Sequence, residues 1–312
     1  MPINSLNTSG IVLPRSVALE VAGKAKDAST IAALSPRKPE IFEDETYLVF
    51  TGASEAEVVA EGAQKGYYTQ TLANVVAKRT TIQTTTRVSN QLKWADEDNR
   101  LEIINAIQED QAAALARALD YIVYHAINPK TGAALDGYTS LAASSGVNDV
   151  YLGADLESAT DAQLIASFDA MADVVNENYD INGFAMSKAY ANALRKIRIA
   201  NTGMRMYPNI PLSLNVGEFE GVAAACSSTV NGSLAQTPTG ILGIMGDFNL
   251  IKWGLVRDIT AEIIPYGDPD GQGDLKQYNQ IAYRTEAVLA HAIVAPAAFS
   301  ILYAGEETTT TA

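Results

Sequence analysis

Residues 46–88 read TYLVFTGASEAEVVAEGAQKGYYTQTLANVVAKRTTIQTTTRV, and this stretch decides the fold. β-Branched residues run through it, and Gly62 and Gly66 bound a tip, so it predicts an extended β-hairpin. Over 75–88 neither face is consistently apolar: Lys78, Thr80 and Thr84 share one with Ile82, while Arg79, Thr81, Gln83 and Thr85 share the other. A lone two-stranded hairpin is marginal in water. The expectation is therefore a projecting ribbon supported by another molecule, which points to assembly rather than catalysis.

Outward from the hairpin, LKWADEDNR offers helix caps at Asp96 and Asp98, and an amphipathic helix is expected from about 97 to 128. Leu101, Ile104, Ile107, Leu115, Ala118, Leu119 and Ile122 recur at helical spacing, and Pro129 ends the run. About thirty residues at 1.5 Å each give a rod of roughly 45 Å. Residues 151–254 alternate helix and strand, with caps at Thr160 or Asp161 and at Ser187 and a short strand over 183–186. Residues 255–303 are β-rich around the turn DPDGQG, 268–273. Residues 1–45, broken by Pro2, Pro14, Pro36 and Pro39, read as an arm, and 304–312 as a frayed tail.

The 312 residues carry a formal charge of −14 and 47% hydrophobic residues. That balance argues against a dedicated nucleic-acid reader but not against a container that encloses nucleic acid. No stretch reaches the roughly 20 apolar residues of a membrane span, and the N-terminus lacks the charged start and apolar centre of a signal peptide. The one cysteine, Cys226, excludes an internal disulfide and reads as a small core residue. His125 and His291 are the only histidines. Neither has metal-ligand spacing, and His125 suits the end of a helix as a cation or a capping donor. DPDGQGD lacks the closing Glu of an EF-hand, so a turn is expected there rather than a calcium site. Neither a cofactor nor a catalytic constellation is expected.

GDFNLIKWGLVRDITAEI followed by YNQIAYRTEAVLAHAIVAPAAFSIL resembles the C-terminal signature of tailed-phage major capsid proteins of the Hong Kong 97 type. AEVVAEGAQK resembles their extended loop, and the long helix with its NPKTG…LDGYTSL exit resembles their spine helix. The resemblance implies an α+β, Hong Kong 97-like capsid fold. Its parts would be an N-arm (1–45), an extended β-hairpin loop (46–88), a peripheral domain (89–150 and 255–303) with the spine helix, and an axial α/β domain (151–254). It implies pentamers and hexamers in an icosahedral shell around double-stranded DNA, held by non-specific contact, in a virion assembled in the bacterial host cytoplasm. Because only about forty residues precede the body, a separate scaffolding protein, or none, is expected, together with a portal and no membrane partner.

Some relatives join subunits by an isopeptide bond from a loop Lys to an Asn, promoted by a Glu. The resemblance places these at Lys65, Asn279 and Glu286. The same residue types also suit plain hydrogen bonding and a solvated loop tip. Glu61, Gly62, Lys65, Tyr67, Tyr68 and Arg15 are the candidate intersubunit contacts, the tyrosines as anchors. The alternatives are an encapsulin-like compartment with protein cargo and, from another class, an acidic cytosolic α/β enzyme.

Overall fold

The computed structural model describes residues 29–36, 46–50, 56–67, 72–99 and 103–306. Its organising strand is β10, Gln280–Ile293, which has a partner on each side in a three-stranded antiparallel sheet. β3, Lys78–Ser89, pairs with it along its full length, from His291↔Lys78 to Gln280↔Ser89. β9, Ile251–Ile264, lies on the other side, with a register shift near Glu286 and Val288. A central strand shields its backbone on both edges, and β10 accordingly carries the apolar residues: Ile281, Ala282, Tyr283, Ala287, Leu289, Ala290 and Ala292 are buried.

This pairing corrects the expected hairpin of 46–88. The Thr-rich half belongs to the body's own sheet, and the ribbon is only β1, Thr46–Phe50, against β2, Leu72–Val76. Reading a strand by its own two faces cannot reveal an apolar partner two hundred residues away. The fully buried Ala77 marks the division.

From β3 the chain passes straight into α2, Asn90–Asn99. The cap is Ser89, whose hydroxyl accepts from Leu92 N at 3.2 Å, so the helix begins earlier than Asp96 or Asp98 would place it. α3, Ile103–Asp120, lies on the sheet formed by β3 and β10. Its buried Gln111 donates to Thr86 Oγ1 and the Tyr283 carbonyl, and accepts from Thr285 Oγ1, so one amide is bonded to both strands. The helix widens into a π-turn over Tyr121–His125 and stops at Ala126, whose φ is 49°. The stop thus precedes Pro129 and comes from a left-handed residue. In the following loop Gly132 is obligatory: its φ is +69°, and a Cβ there would lie 2.3 Å from the Leu234 carbonyl.

The second sheet has six strands in the order β4-β11-β8-β5-β7-β6. They are β4 (Asn148–Tyr151), β5 (Gly183–Met186), β6 (Glu218–Phe219), β7 (Val222–Cys226), β8 (Ile241–Gly246) and β11 (Phe299–Tyr303). β4 and β11 lie outside the expected 151–254 lobe, and this corrects its boundary. Four of the five residues of FSILY are buried, which suits a place inside the sheet, parallel to β4 and antiparallel to β8. α4, Asp161–Asn176, opens with a complete Thr160/Gln163 capping box, and α5, Lys188–Lys196, is capped by Ser187, as the sequence predicts. Both helices pack into a core with Phe184, Met186 and Leu242. A second core holds Ile244, Phe248, Phe299 and Trp253.

The end of the arm is not free. α1, Thr30–Leu34, docks on the body through Asp120, the last residue of α3. This buried carboxylate accepts from Ser29 Oγ (2.5 Å), Thr30 N (2.9 Å), Thr30 Oγ1 (3.0 Å), Ile31 N (3.2 Å) and Thr229 Oγ1 (2.5 Å). Burial raises its pKa above the ordinary carboxylate value, and the Ser29 and Thr229 hydroxyls with the Thr30 and Ile31 amides offset only part of that rise. Trp253 Nε1 donates to the Ser35 carbonyl at 3.2 Å and fastens the other end of the segment. The helical spacing noted over 16–26 lies outside the described residues, as does the tail beyond Glu306.

Replacing Asp120 by Ala takes the acceptor from Ser29 Oγ and from the Thr30 and Ile31 amides inside the core, while Thr30 Oγ1 and Thr229 Oγ1 keep Tyr124 OH and Ser227 Oγ. The expected loss is about 3 kcal/mol or more, read from the urea midpoint, with Asp120→Asn intermediate. An unchanged midpoint in Asp120→Ala would refute the anchor.

Candidate assembly interface

In the ribbon, β1 and β2 register as Thr46↔Val76 through Phe50↔Leu72. Tyr47 and Val75 point inward and pack on Ala77, Ala290 and Ala292. On the opposite face Leu48 is 68% exposed, and Leu72 and Val76 are more than half exposed. Past β1 the loop turns at Ala60–Ala63, where Ala63 N donates to Ala60 O and Gly62 takes a φ of 79°. A glycine at this third turn position is what a type II turn demands. Glu57 closes the loop by accepting from Gly66 N at 2.8 Å. Val58 and Tyr67 are almost wholly exposed, at 100% and 95%. Apolar side chains so placed gain nothing within their own subunit, and clustered exposure of this kind marks a contact surface.

The root of the ribbon is fixed by stacked polar contacts. Lys78 Nζ donates to Gly137 O at 2.6 Å and lies 3.9 Å from the centroid of the Tyr138 ring. Tyr138 OH donates to Arg79 O and accepts from Thr80 Oγ1. The same ring stacks on His291, with centroids 6.2 Å apart. A cleft of about 420 Å³ opens beside them, between the 137–145 loop and residues 74–76. Burial, reinforced by the Lys78 charge, lowers His291 to about 4. His125 is also lowered to about 4 by burial, with Nε2 3.0 Å from Thr229 O and Nδ1 3.3 Å from Thr239 Oγ1. It is therefore a neutral cross-brace rather than a cation at the helix end.

The DPDGQG turn is held by a buried arginine. Arg87 Nε donates to both carboxylate oxygens of Asp270 at 2.9 Å. Its Nη2 donates to Asp268 and to the Gly273 carbonyl, and also contacts Asp270. The guanidinium holds the Asp270 carboxyl below its ordinary range. The aspartates that superficially suggested calcium are thus occupied by an internal cation. No group of three or more metal-ligating side chains occurs among the described residues. Sequence reading missed Arg87 and Asp120. A single Asp within ALDYIVYHA, and a single Arg at the end of a Thr-rich strand, were the available signals.

The three residues of the implied cross-link do not meet within one subunit. Lys65 is exposed near the ribbon tip, beside Glu61, Gly62 and Tyr67. Asn279 has a φ of 55°; its carbonyl accepts from Asn90 N and its Oδ1 from Asn90 Nδ2. Glu286 is half-buried on β10 between Gln83 and Thr260. Seven residues of extended chain set it roughly 23 Å from Asn279. Arg15 and Tyr68 lie outside the described residues.

The profile of the phage capsid family matches residues 9–303. The chain belongs to the phage capsid family. A solved structure from Mycobacterium phage Ogopogo is 33% identical and superposes with a TM-score of 0.80, over 97% of this chain and 100% of that one. One from Gordonia phage Cozz is 28% identical, with a TM-score of 0.74, over 95% and 92%. The capsid of an empty GTA particle is 14% identical, with a TM-score of 0.65 over 97% and 100%, and shares the fold. Among curated protein sequences none matches. The fold is Hong Kong 97-like, and this is a major capsid protein, a structural subunit of an icosahedral shell.

The two histidines give the subunit a defined acid response. Each binds a proton more weakly folded (about 4) than unfolded (6.5), so the unfolded chain takes up protons first as pH falls. Their contribution is complete above about 6.5 and is lost between there and about 4, up to a few kcal/mol each. Urea midpoints at pH 7 and pH 5 should differ clearly, and His125→Gln with His291→Gln should flatten that difference. An equal pH slope in the double variant would overturn the assignment.

Proposed function

We propose that copies of this chain close into pentamers and hexamers around double-stranded DNA, with the ribbon of each copy laid across a neighbour. The observation that carries this reading is the ribbon's outward apolar face, Leu48, Leu72 and Val76, continued by Val58 and Tyr67 on the loop. Covering these side chains on another copy supplies the burial that one subunit cannot. The arm, held to its own body where Ser29 meets Asp120, serves a second neighbour. A chain carrying −14 charges holds DNA by enclosure and non-specific contact rather than by a basic grip. A separate scaffolding protein and a portal complete the assembly, which takes place in the bacterial cytoplasm and yields a virion component.

Asn279 serves this architecture as a turn residue. Its left-handed backbone and paired bonds to Asn90 join the start of β10 to the start of α2. An isopeptide bond from Lys65 would have to withdraw that amide, and Glu286 would have to come from a further copy.

Deleting residues 61–68 should leave a soluble protein with an unchanged circular dichroism spectrum that forms no closed particles by negative-stain microscopy. Normal shells from the deletion would sink the ribbon's role. Wild-type particles boiled in SDS should run as one band near 33 kDa. A ladder of higher bands would instead establish the covalent route through Lys65.

A further inference from the structure

The lobe built on the six-stranded sheet separates its charges by element. Asp169, Asp173 and Glu177 on or just beyond α4, Asp180, and Glu220 in the β6–β7 turn are all exposed acids. Apart from Lys188 at the start of α5, its bases gather at the end of that helix and beyond, at Arg195, Lys196, Arg198 and Arg205.

Residues 197–206 form a finger. Ile199 N donates to Met204 O at 2.9 Å and Met206 N to Ile197 O at 3.1 Å, and Gly203, with a φ of 66°, makes the turn. Arg198 and Arg205 pair directly across it. Like charges in that position repel, and among the described residues neither guanidinium has a carboxylate within ion-pair distance. Cross-strand alternation places Ile199 and Met204 together on the other face. Met204 is 66% exposed and Ile199 nearly half. The finger thus presents an exposed apolar face and two cations that, among the described residues, have no carboxylate partner.

The same lobe holds a groove of complementary character. Its volume is about 530 Å³; the half-buried Phe168, Ala172, Ile181 and Val222 line it above the buried Phe184, Phe219 and Met245, and Asp180 and Glu220 stand among its polar lining residues. An apolar floor with acidic groups suits an apolar side chain flanked by cations. A thioether adapts readily to an irregular apolar surface, and arginine stems are long enough to lie on apolar surface while the heads reach carboxylates.

We propose that the finger of one copy seats in the groove of a second copy, Met204 and Ile199 against Phe168, Ile181 and Val222 and Arg198 and Arg205 on Asp180 and Glu220. The proposal rests on the shell-subunit reading and adds which surfaces of this lobe meet. Two different patches joined in this way make a head-to-tail contact, the kind that builds a ring wherever the rotation between copies closes.

Charge exchange tests it, scored as the fraction of protein in particles by sedimentation and negative-stain microscopy. Arg198→Glu with Arg205→Glu should reduce that fraction at least tenfold, as should Asp180→Arg with Glu220→Arg. All four changes in one chain should restore it to within about threefold of wild type. Met204→Gln, at an exposed position that folding does not use, should lower it several-fold with an unchanged urea midpoint. Wild-type yield from either charge-reversed chain, or from Met204→Gln, overturns the proposal, as does failure of the fourfold variant to recover while its urea midpoint is unchanged. If wild-type protein itself forms no particles, it is the shell reading that fails.

Discussion

The pairing of Lys78–Ser89 with Gln280–Ile293 is the constraint on which the other features rest. One end of this ladder sets the root of the ribbon at Ala77, where Lys78, Tyr138 and His291 stack. The other end delivers Ser89 as the cap of α2 and Asn279 as the residue that ties the start of β10 to the start of α2. Along its length Gln111 bonds the long helix to both strands. The ladder therefore fixes three directions at once: where the ribbon leaves, how the helix lies, and where the DPDGQG turn stands.

Two buried ionisable groups hold the peripheral segments against this frame, and they do so with opposite charge. Asp120 gathers hydroxyl and amide donors from the end of the arm and from Thr229. Arg87 gathers carboxylate and carbonyl acceptors from a surface turn. Buried charge is costly unless every partner is in place. Each group thus favours one arrangement of its segment over nearby ones, a specificity that apolar packing alone would not give.

Much of this was legible in the sequence. Thr160 and Ser187 announced two helices because their caps are local, and GFAM announced a strand because a short apolar run has few other uses. The exposed tip around Gly62 was legible because glycine at a positive φ is a local demand. What escaped was non-local. The Thr-rich strand looked unsupported because its partner lies some two hundred residues downstream. The lobe boundary slipped because β11 returns to a sheet begun 150 residues earlier. Within the candidate interface, Lys65 and Tyr67 are exposed on the loop of residues 56–67, whereas the partners of Arg87 and Asp120 are visible only in three dimensions.

Ala77 has a mechanical consequence. β2 and β3 are one continuous chain through this single residue, so a pull transmitted along β2 enters the body at the first rung of the β3–β10 ladder. The component of that force along the strand acts in shear, and the rungs share the tension instead of opening one after another. A shell strained from within would thus be resisted by the whole length of the ladder in every subunit whose ribbon is gripped.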